Sequence, residues 1–394
     1  MHQPDDINVV IRHHDKEWPK LPDTLLREME EHMFDPLLKE MEEEKEQTPG
    51  HLNMIGWALC QKFQFSKDPR DIKRAIEVIE EAVRISEPSS KEWQQCIHNL
   101  GTAFMEYYEH SPKLEYLNQA INLFGQLTEH RAADPQEDEP AHLFNLCSCL
   151  IMRFSRKKKM DDLDRAIRLG QEIIEQTTHE APHRSTHLQN HATALLMRYT
   201  ITDKAADQQA ALQAMVLLVS EMPDDAPERL DWIDKITTLL RKYRDTSSFT
   251  LMIEVGQQLV TYTPSDADYL PMLLNIVGTG YMGRFARTDD ENDLAEAVRY
   301  HEQAFSRCSP NSPYQLHCSL NLGFVLKMRY EETHQLDDLD RAIVLLEKVM
   351  AQAPHDYHAI PMCHGQLANA LGQRFERTEN LADLERANKL RAEM

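Results

Sequence analysis

The chain has 394 residues, and its 43 basic and 65 acidic side chains give a formal net charge of −22 at pH 7. Binding to nucleic acid or to an anionic membrane needs a basic face, so this charge argues against both as general partners, and no apolar run reaches the roughly 20 residues of a membrane span. With only 12 glycines, the composition favours helix through most of the chain.

We predict an N-terminal extension over residues 1–50, with one or two helices. A helix is expected over residues 21–47, where apolar side chains recur at helical spacing and Pro36 interrupts the pattern. This helix could cover the outer face of the first repeat. The N-terminus lacks the apolar core of a secretion signal, and we expect a cytoplasmic protein.

Residues 51–394 repeat one unit of two amphipathic helices about eight times. In its clearest copy, at residues 320–350, Leu339, Ala342, Leu346 and Val349 follow one helix face. Equivalents of Ala342, which we call anchors, recur every 41 to 46 residues, at Ala75, Ala120, Ala166, Ala211, Met252, Ala297, Ala342 and Ala387. Two further columns of similar residues recur at fixed distances before the anchor. Together the three columns predict a helical solenoid in which each repeat packs on its neighbours.

The other two columns lie in the first helix of each repeat. Nineteen positions before the anchor stand Gly56, Gly101, Cys147, Ala192, Ile233, Gly278, Gly323 and Ala368. Twelve positions before it stand Phe63, Tyr108, Phe154, Tyr199, Leu240, Phe285, Tyr330 and Phe375. A small residue facing the anchor lets two helices approach closely, and the aromatic residue then fills the gap between neighbouring pairs.

Two repeats depart from this pattern. The fifth, at about residues 228–261, lacks the small and the aromatic residue, and its spacing implies about three residues deleted between its helices; we expect a local change in superhelical twist there. The eighth begins its second helix at Asp383 and is short. We expect Leu384, Ala387 and Leu390 to continue an apolar stripe that nothing downstream covers, and therefore a homo-oligomer formed through residues 358–394.

These columns resemble tetratricopeptide repeats, which have a Leu-Gly pair and an aromatic residue in the first helix, an Ala in the second and a closing Pro. Leu322-Gly323, Tyr330, Ala342 and Pro354 match those elements. The period is longer than the 34 residues of that family. Phrases such as RTENLADLERA and MDDLDRAI look like repeats of fungal proteins in which a caspase-like CHAT protease domain follows.

The resemblance implies an all-α fold, a right-handed α-solenoid of about eight tetratricopeptide-like helix pairs over residues 51–394. Because the repeats run to the last residue, we expect no CHAT domain in this chain, and no protease activity is carried over. The function that the resemblance favours is a non-catalytic scaffold or adaptor that binds a protein or peptide in its concave groove. A stand-alone regulator related to the fungal proteases is one alternative.

In tetratricopeptide arrays the first helices line the groove, one turn before and after the small residue. Carried over, this gives the candidate binding residues Trp57, His98, Thr102, Glu106, Asn275, Thr279, Phe324, Lys327 and Asn369. Phe144 and Ser148 fall at the same positions in the third repeat. We expect Trp57, Phe324 and Lys327 to contribute most, with the Lys327 cation attracting a carboxylate of the partner. Asn99, Asn145, Asn190 and Asn321 recur two positions before the small residue and are expected to bond within the scaffold.

A second alternative is a small-molecule enzyme, of a biosynthetic lyase or cyclase type, with its site in the groove. His98, Glu106 and a row of three histidines, His183, His187 and His191, are its nearest candidates. Four-residue spacing places the three on one helix face, within reach of a shared metal, but the carboxylate of an HExxH motif is absent. We predict no native metal and no cofactor.

Two further patterns have a structural explanation. Residues 289–293 read DDEND, a DDxxD motif, but they fall where the second helix of a repeat begins, where acidic residues cap. The seven cysteines form no CxxC pair, and we expect them to be small core residues of a reduced protein.

Overall fold

The computed structural model describes residues 36, 38–39, 47–129, 141–179, 181, 183–242, 245–309, 312–354 and 359–392. These residues form sixteen α-helices and no β-strand, as the all-α prediction requires. The helices are α1 Pro49–Ser66, α2 Pro69–Ile85, α3 Lys91–His110, α4 Leu114–Glu129, α5 Ala141–Lys157, α6 Met160–Gln176, α7 Arg184–Thr202, α8 Ala205–Glu221, α9 Arg229–Leu240, α10 Thr246–Thr261, α11 Leu270–Thr288, α12 Glu291–Arg307, α13 Gln315–Thr333, α14 Leu336–Gln352, α15 Ile360–Thr378 and α16 Leu381–Ala392. The predicted extension over 1–50 lies almost wholly outside the described residues.

The helices follow one another as eight pairs, α1–α2 through α15–α16, which confirms the predicted solenoid of tetratricopeptide-like repeats. The chain divides into two compact units, residues 1–207 and 208–394. Within the first unit each helix from α1 to α7 packs on the next, and the first helices α1, α3, α5 and α7 also contact one another in turn. Within the second unit each helix from α9 to α16 packs on the next, with α11, α13 and α15 in contact as a row. None of the described helices combines the length and apolarity of a membrane span.

The three columns meet where the two helices of a repeat pack, as in the third and seventh repeats. All seven anchor alanines are completely buried, and Met252 nearly so. A Cβ built on Gly323 would lie 3.1 Å from Leu346 and 3.5 Å from the carbonyl oxygen of Ala342, so a larger residue would push the helices apart. Where Cys147 takes the small position, its Sγ donates to the carbonyl oxygen of Ala166 at 3.3 Å. The close approach inferred from the columns is therefore present.

The aromatic column also marks where the first helix ends. At the end of α1 the N–H of Lys67 donates to the carbonyl oxygen of Phe63 at 2.9 Å, and at the end of α13 the N–H of His334 donates to that of Tyr330 at 2.8 Å. The capping residues Lys67 and His334 have a left-handed backbone conformation, with φ of 52° and 55°. The equivalent backbone hydrogen bond, from the C-cap N–H to the carbonyl oxygen of the aromatic residue, ends α7, α11 and α15. The second helix then starts within a few residues, as at Asp68, whose side chain caps α2 before Pro69.

The fifth repeat is irregular, as predicted. Its first helix α9 has 12 residues, whereas α11 and α13 have 19. Helix α10 instead packs closely on α11 through glycines: a Cβ on Gly283 would lie 2.3 Å from the ring of Phe249, and one on Gly256 would lie 2.7 Å from Val277. At both positions the absence of a Cβ leaves room for a side chain of the facing helix, Phe249 against Gly283 and Val277 against Gly256.

The eighth repeat differs from the expectation for its apolar stripe. Ala387 and Leu390 of α16 are buried in a cluster with Leu367 and Leu371 of α15, and Leu384 is half-buried. The stripe therefore covers the inner face of its own repeat, because the short second helix still spans the apolar side of α15. The large apolar side chains exposed in this repeat are Met362 and Leu381.

Candidate protein-binding face on the first helices

In the first unit, the first of the candidate groove residues lies on α1. Trp57 is 55% exposed, and Met54, three residues before it, is 60% exposed on the same side of the helix. Exposed large apolar side chains that lie together mark binding surfaces more often than isolated ones do. The prediction singled out Trp57 and overlooked Met54, although its i−3 spacing from Trp57 was the available signal.

Helix α3 supplies polar groups beside these two residues. The Glu106 Oε1 accepts a hydrogen bond from Gln64 Nε2 at 2.8 Å, which links α3 to α1. The Thr102 hydroxyl donates to the carbonyl oxygen of His98 at 3.1 Å, and the His98 ring lies edge-on to Phe124 with centroids 5.8 Å apart. We call Met54, Trp57, Gln64, His98, Thr102 and Glu106 the α1–α3 face.

A half-buried carboxylate gives this face its charge. Glu106 influences Cys60 of α1, whose pKa is raised first by burial and then by the negative charge of Glu106. The cation of Lys62 is taken up by Asp71, with Nζ and Oδ1 3.5 Å apart. The α1–α3 face thus combines an exposed apolar pair with a half-buried carboxylate that is hydrogen-bonded to Gln64.

In the third repeat, the side chains at the equivalent groove positions are buried. Phe144 and Ser148 of α5 are completely buried. The Phe144 ring lies 5.0 Å from that of His187, and the Ser148 hydroxyl accepts from Asn190 Nδ2 at 3.0 Å, both from α7. Residues that were candidates for groove contacts are therefore core contacts between first helices.

In the second unit, two of the predicted binding residues are committed to the scaffold. Asn275 is buried, and its Oδ1 accepts from Asn321 Nδ2 at 3.2 Å and lies 2.8 Å from His301 Nδ1. Lys327 is buried with its Nζ 2.5 Å from Glu331 Oε1. The expected carboxylate-binding role of Lys327 is not supported, because its charge is already neutralised within one helix turn.

The remaining candidates of the second unit are more accessible. Thr279 is half-buried and donates to the carbonyl oxygen of Asn275 at 2.8 Å. Phe324 is half-buried and packs against the core of the last repeats, whereas Asn369 is exposed. Within this unit the structure does not bring the candidates together into one apolar patch like that of α1.

Three of the four recurring asparagines, Asn99, Asn190 and Asn321, bond within the scaffold, as predicted. Asn99 Nδ2 donates to Asn53 Oδ1 at 3.0 Å, and the Asn190–Ser148 and Asn321–Asn275 bonds described above repeat this arrangement between successive first helices. Each bond satisfies buried or half-buried amides and fixes the register of neighbouring repeats.

The three histidines of α7 occupy core and cap positions. His183 is the N-cap residue of the helix, His187 packs on Phe144, and His191 fills the space above Gly170, whose added Cβ would lie 2.7 Å from His191 Nδ1. Burial lowers the pKa of His191 to about 4, with Arg198 as a second cause. Across the described residues, no three or more His, Cys, Asp or Glu side chains stand where they could share a metal ion.

A fourth column, which the sequence analysis missed, joins the two helices of a repeat. An arginine six positions after the small residue pairs with an aspartate nine positions further on, at Arg153–Asp162, Arg198–Asp207, Arg284–Asp293, Arg329–Asp338 and Arg374–Asp383. Lys62 and Asp71 hold this place in the first repeat, and the stacked rings of Tyr107 and Tyr116, 4.2 Å apart, hold it in the second. The constant nine-residue spacing was the visible signal.

This column also explains the acidic motifs. Asp290 caps α12 by accepting from the N–H of Asn292 at 3.0 Å, while Asp293 binds Arg284 through both carboxylate oxygens. In α14 the N-cap residue is Gln335, and Asp338 binds Arg329 instead of capping the helix. Hydrogen bonding to the aspartate is the main reason why the pKa of Arg284 and of Arg329 is raised.

The chain was compared with known protein families, sequences and solved structures. No protein-family model and no curated protein sequence matches the chain. Among solved structures, the chain is similar to kinesin light chain nearly identical TPR-like repeats from Podosopora anserina (12% identity, 66% of this chain and 98% of that one, TM-score 0.22). It is also similar to yeast Tom70 (12%, 93% and 92%, TM-score 0.23) and to a human IFIT1 dimer with PPP-AAAA (14%, 95% and 96%, TM-score 0.19). The fold assignment, an α-solenoid of tetratricopeptide-like helix pairs, rests on the helix pairs and columns of this chain.

Proposed function

We propose that the protein is a non-catalytic scaffold that binds a segment of another protein on the α1–α3 face. The observation that carries this proposal is the exposed pair Met54 and Trp57 on the first helix of the array. Burying an exposed Trp and Met would supply much of the binding free energy, since tryptophan is enriched among interface hot spots.

The polar part of the face defines the partner further. Gln64 and Glu106 meet across α1 and α3, with Gln64 about two helical turns after Trp57 on the same helix. The bound segment would place an apolar side chain against Trp57 and a donor, either a backbone N–H or a cationic side chain, at Glu106. An extended segment or one turn of helix could satisfy both contacts.

The test is selection of displayed random peptides against the whole protein, followed by affinity measurement for Trp57→Ala and Met54→Ala variants. Loss of a hot-spot residue costs about 2 kcal/mol or more, so Trp57→Ala should weaken binding by roughly 30-fold. Val344→Ala is the matched control, because Val344 is 64% exposed on a second helix outside the proposed face.

A further variant, Glu106→Gln, separates the polar contribution. For a peptide with a cationic side chain it should weaken binding and reduce the dependence of affinity on salt. Selected peptides that bind Trp57→Ala, Met54→Ala and Glu106→Gln as tightly as the parent protein would show that the α1–α3 face is not the binding site.

A further inference from the structure

Two thiols meet at the junction between the sixth and seventh repeats. Cys308 is the C-cap residue of α12, and Cys318 lies in the first turns of α13. Their Sγ atoms are 3.4 Å apart, and both residues are free thiols. This is contact distance, so small side-chain rotations would bring the two sulfurs to the separation of a covalent bond.

At other junctions between repeats, different residues occupy the two positions that Cys308 and Cys318 hold. Ser86 and Cys96 stand ten residues apart at the equivalent positions, with Oγ and Sγ 3.9 Å apart, and Ala353 and Cys363 stand there in the last junction. At these three junctions the C-cap residue is small, and it is Ser, Ala or Cys. Among the described residues, cysteines occupy both positions in one junction, that between the sixth and seventh repeats.

The two thiols differ in their access to solvent. Cys318 is completely buried in a cluster with Leu270, Leu274 and Val277, whereas Cys308 is half-buried at the edge of that cluster. Because part of Cys308 is exposed and Cys318 is not, a small oxidant can reach Cys308 first, and Cys318 is placed behind it. Arg307 and Ser309, the neighbours of Cys308 in the chain, line a cavity of about 480 Å³, whereas Cys308 itself does not.

We propose that Cys308 and Cys318 are an oxidation site that forms a reversible intrachain disulfide by exchange with a low-molecular-mass disulfide such as glutathione disulfide. The Cys308 thiolate attacks one sulfur of glutathione disulfide and releases one glutathione. The Cys318 sulfur, after giving its proton to solvent, attacks Cys308 and releases the second glutathione. Two electrons and two protons leave the protein, and one glutathione disulfide becomes two glutathione molecules.

Burial governs the rate of the second step. The pKa of the Cys318 thiol is raised, first by burial and then by the neighbouring Cys308 sulfur. Only thiolate attacks a disulfide, so closure of the ring should become faster as pH rises. The product would tie the end of α12 to the start of α13 through a ring of about ten residues, beside the cavity wall.

The experiment incubates the whole protein in glutathione buffers of increasing oxidised fraction, followed by alkylation and digestion with trypsin without reductant. Trypsin cleaves after Arg307 and after Lys327, so one peptide, residues 308–327, carries both cysteines. We expect this peptide to lose two hydrogens, to resist alkylation at both positions and to regain both thiols on reduction.

Cys308→Ser and Cys308→Ala are the matched variants, since each reproduces a junction that the chain already contains. In both, residues 308–327 should keep a free Cys318 thiol under every buffer, with alkylation in the folded protein at least tenfold slower than for an unfolded control. Three results would overturn the proposal: a stable glutathione adduct on Cys308, a link between two chains, or an unmodified peptide at the most oxidising ratio.

Discussion

Ala342 shows how little space each anchor has. Its side chain is completely buried, and its carbonyl oxygen faces Gly323 of the preceding helix. We expect Ala342→Trp to lower the free energy of unfolding by more than about 3 kcal/mol, because overpacking by even a few methylenes costs about 1–3 kcal/mol. Chemical denaturation followed by circular dichroism measures the loss.

The control for this variant lies two residues further along the same helix. Val344 is exposed, and Val344→Trp should change the stability by about 0.5 kcal/mol or less. If Ala342→Trp were as stable as Val344→Trp, the assignment of the anchor column would be wrong.

His301 is a buried ionisable residue at a position where the first, second, fourth and seventh repeats have an apolar one, Ile79, Phe124, Met215 and Leu346. It lies four residues after an anchor, at the place that Leu346 holds in the next repeat, and its ring packs on Gly278. Burial lowers the pKa of His301 to about 3, although the Gly278 carbonyl partly opposes this shift. The folded protein therefore keeps the ring neutral at physiological pH.

This pKa makes the stability depend on pH. An unfolded histidine has a pKa of about 6.5, so as pH falls from 6.5 towards 3 the unfolded chain binds a proton that the folded chain excludes. The free energy of unfolding then falls by up to about 1.4 kcal/mol per pH unit, and this contribution is absent above pH 6.5. His301→Leu should remove it, and His191 should account for part of what remains. Unfolding by urea across this range measures the slope, and an unchanged slope would contradict the prediction.

At the scale of the helix pair, the Arg–Asp column joins the first and second helices. In the seventh repeat Arg329 Nε donates to Asp338 Oδ2 at 2.7 Å, and the Asp338 side chain is almost fully buried. Arg329→Ala leaves this carboxylate without its partner. We expect a loss of about 2–4 kcal/mol, somewhat below that for a fully buried pair because the Arg329 side chain is about one-third exposed.

The second repeat offers a replacement for this ion pair. Tyr107 and Tyr116 stack at the same two positions. A double variant with Arg329→Tyr and Asp338→Tyr should therefore be more stable than Arg329→Ala, and a double-mutant cycle measures the coupling. Equal stability of the double variant and Arg329→Ala would show that the two positions do not act as a unit.

The fold could be predicted because its signals lie within the sequence of each repeat. Gly323, Tyr330 and Ala342 recur at fixed offsets, and such a period is a property of the chain alone. The Arg329–Asp338 spacing is equally regular, but acidic residues at a helix start also suit capping, and that explanation was preferred. The exposure of a first-helix residue was less predictable: Phe144 is covered and Trp57 is not, because the neighbouring helices decide which of them meets solvent.

At the scale of the whole molecule, assembly through residues 358–394 remains a prediction, now with different contact residues. Ala387 and Leu390 are used within the repeat, which leaves Leu381 and Met362 as its exposed apolar side chains. If the protein self-associates through this repeat, Leu381→Glu or Met362→Glu should lower the sedimentation coefficient at a fixed concentration, because burying a charge in an interface is unfavourable. A parent protein that sediments as a monomer at all concentrations would refute the prediction.

The nine-residue reach of each Arg–Asp pair has a consequence for how the chain acquires its structure. A contact between residues so close in sequence needs only a short loop to close, and chains rich in such contacts fold fast. A helix pair that has the ion pair can form it before any neighbouring repeat is in place, so several repeats can start folding independently and then grow towards one another. The second repeat, in which stacked tyrosines replace the charges, should depend less on salt for its formation than the repeats that have the ion pair.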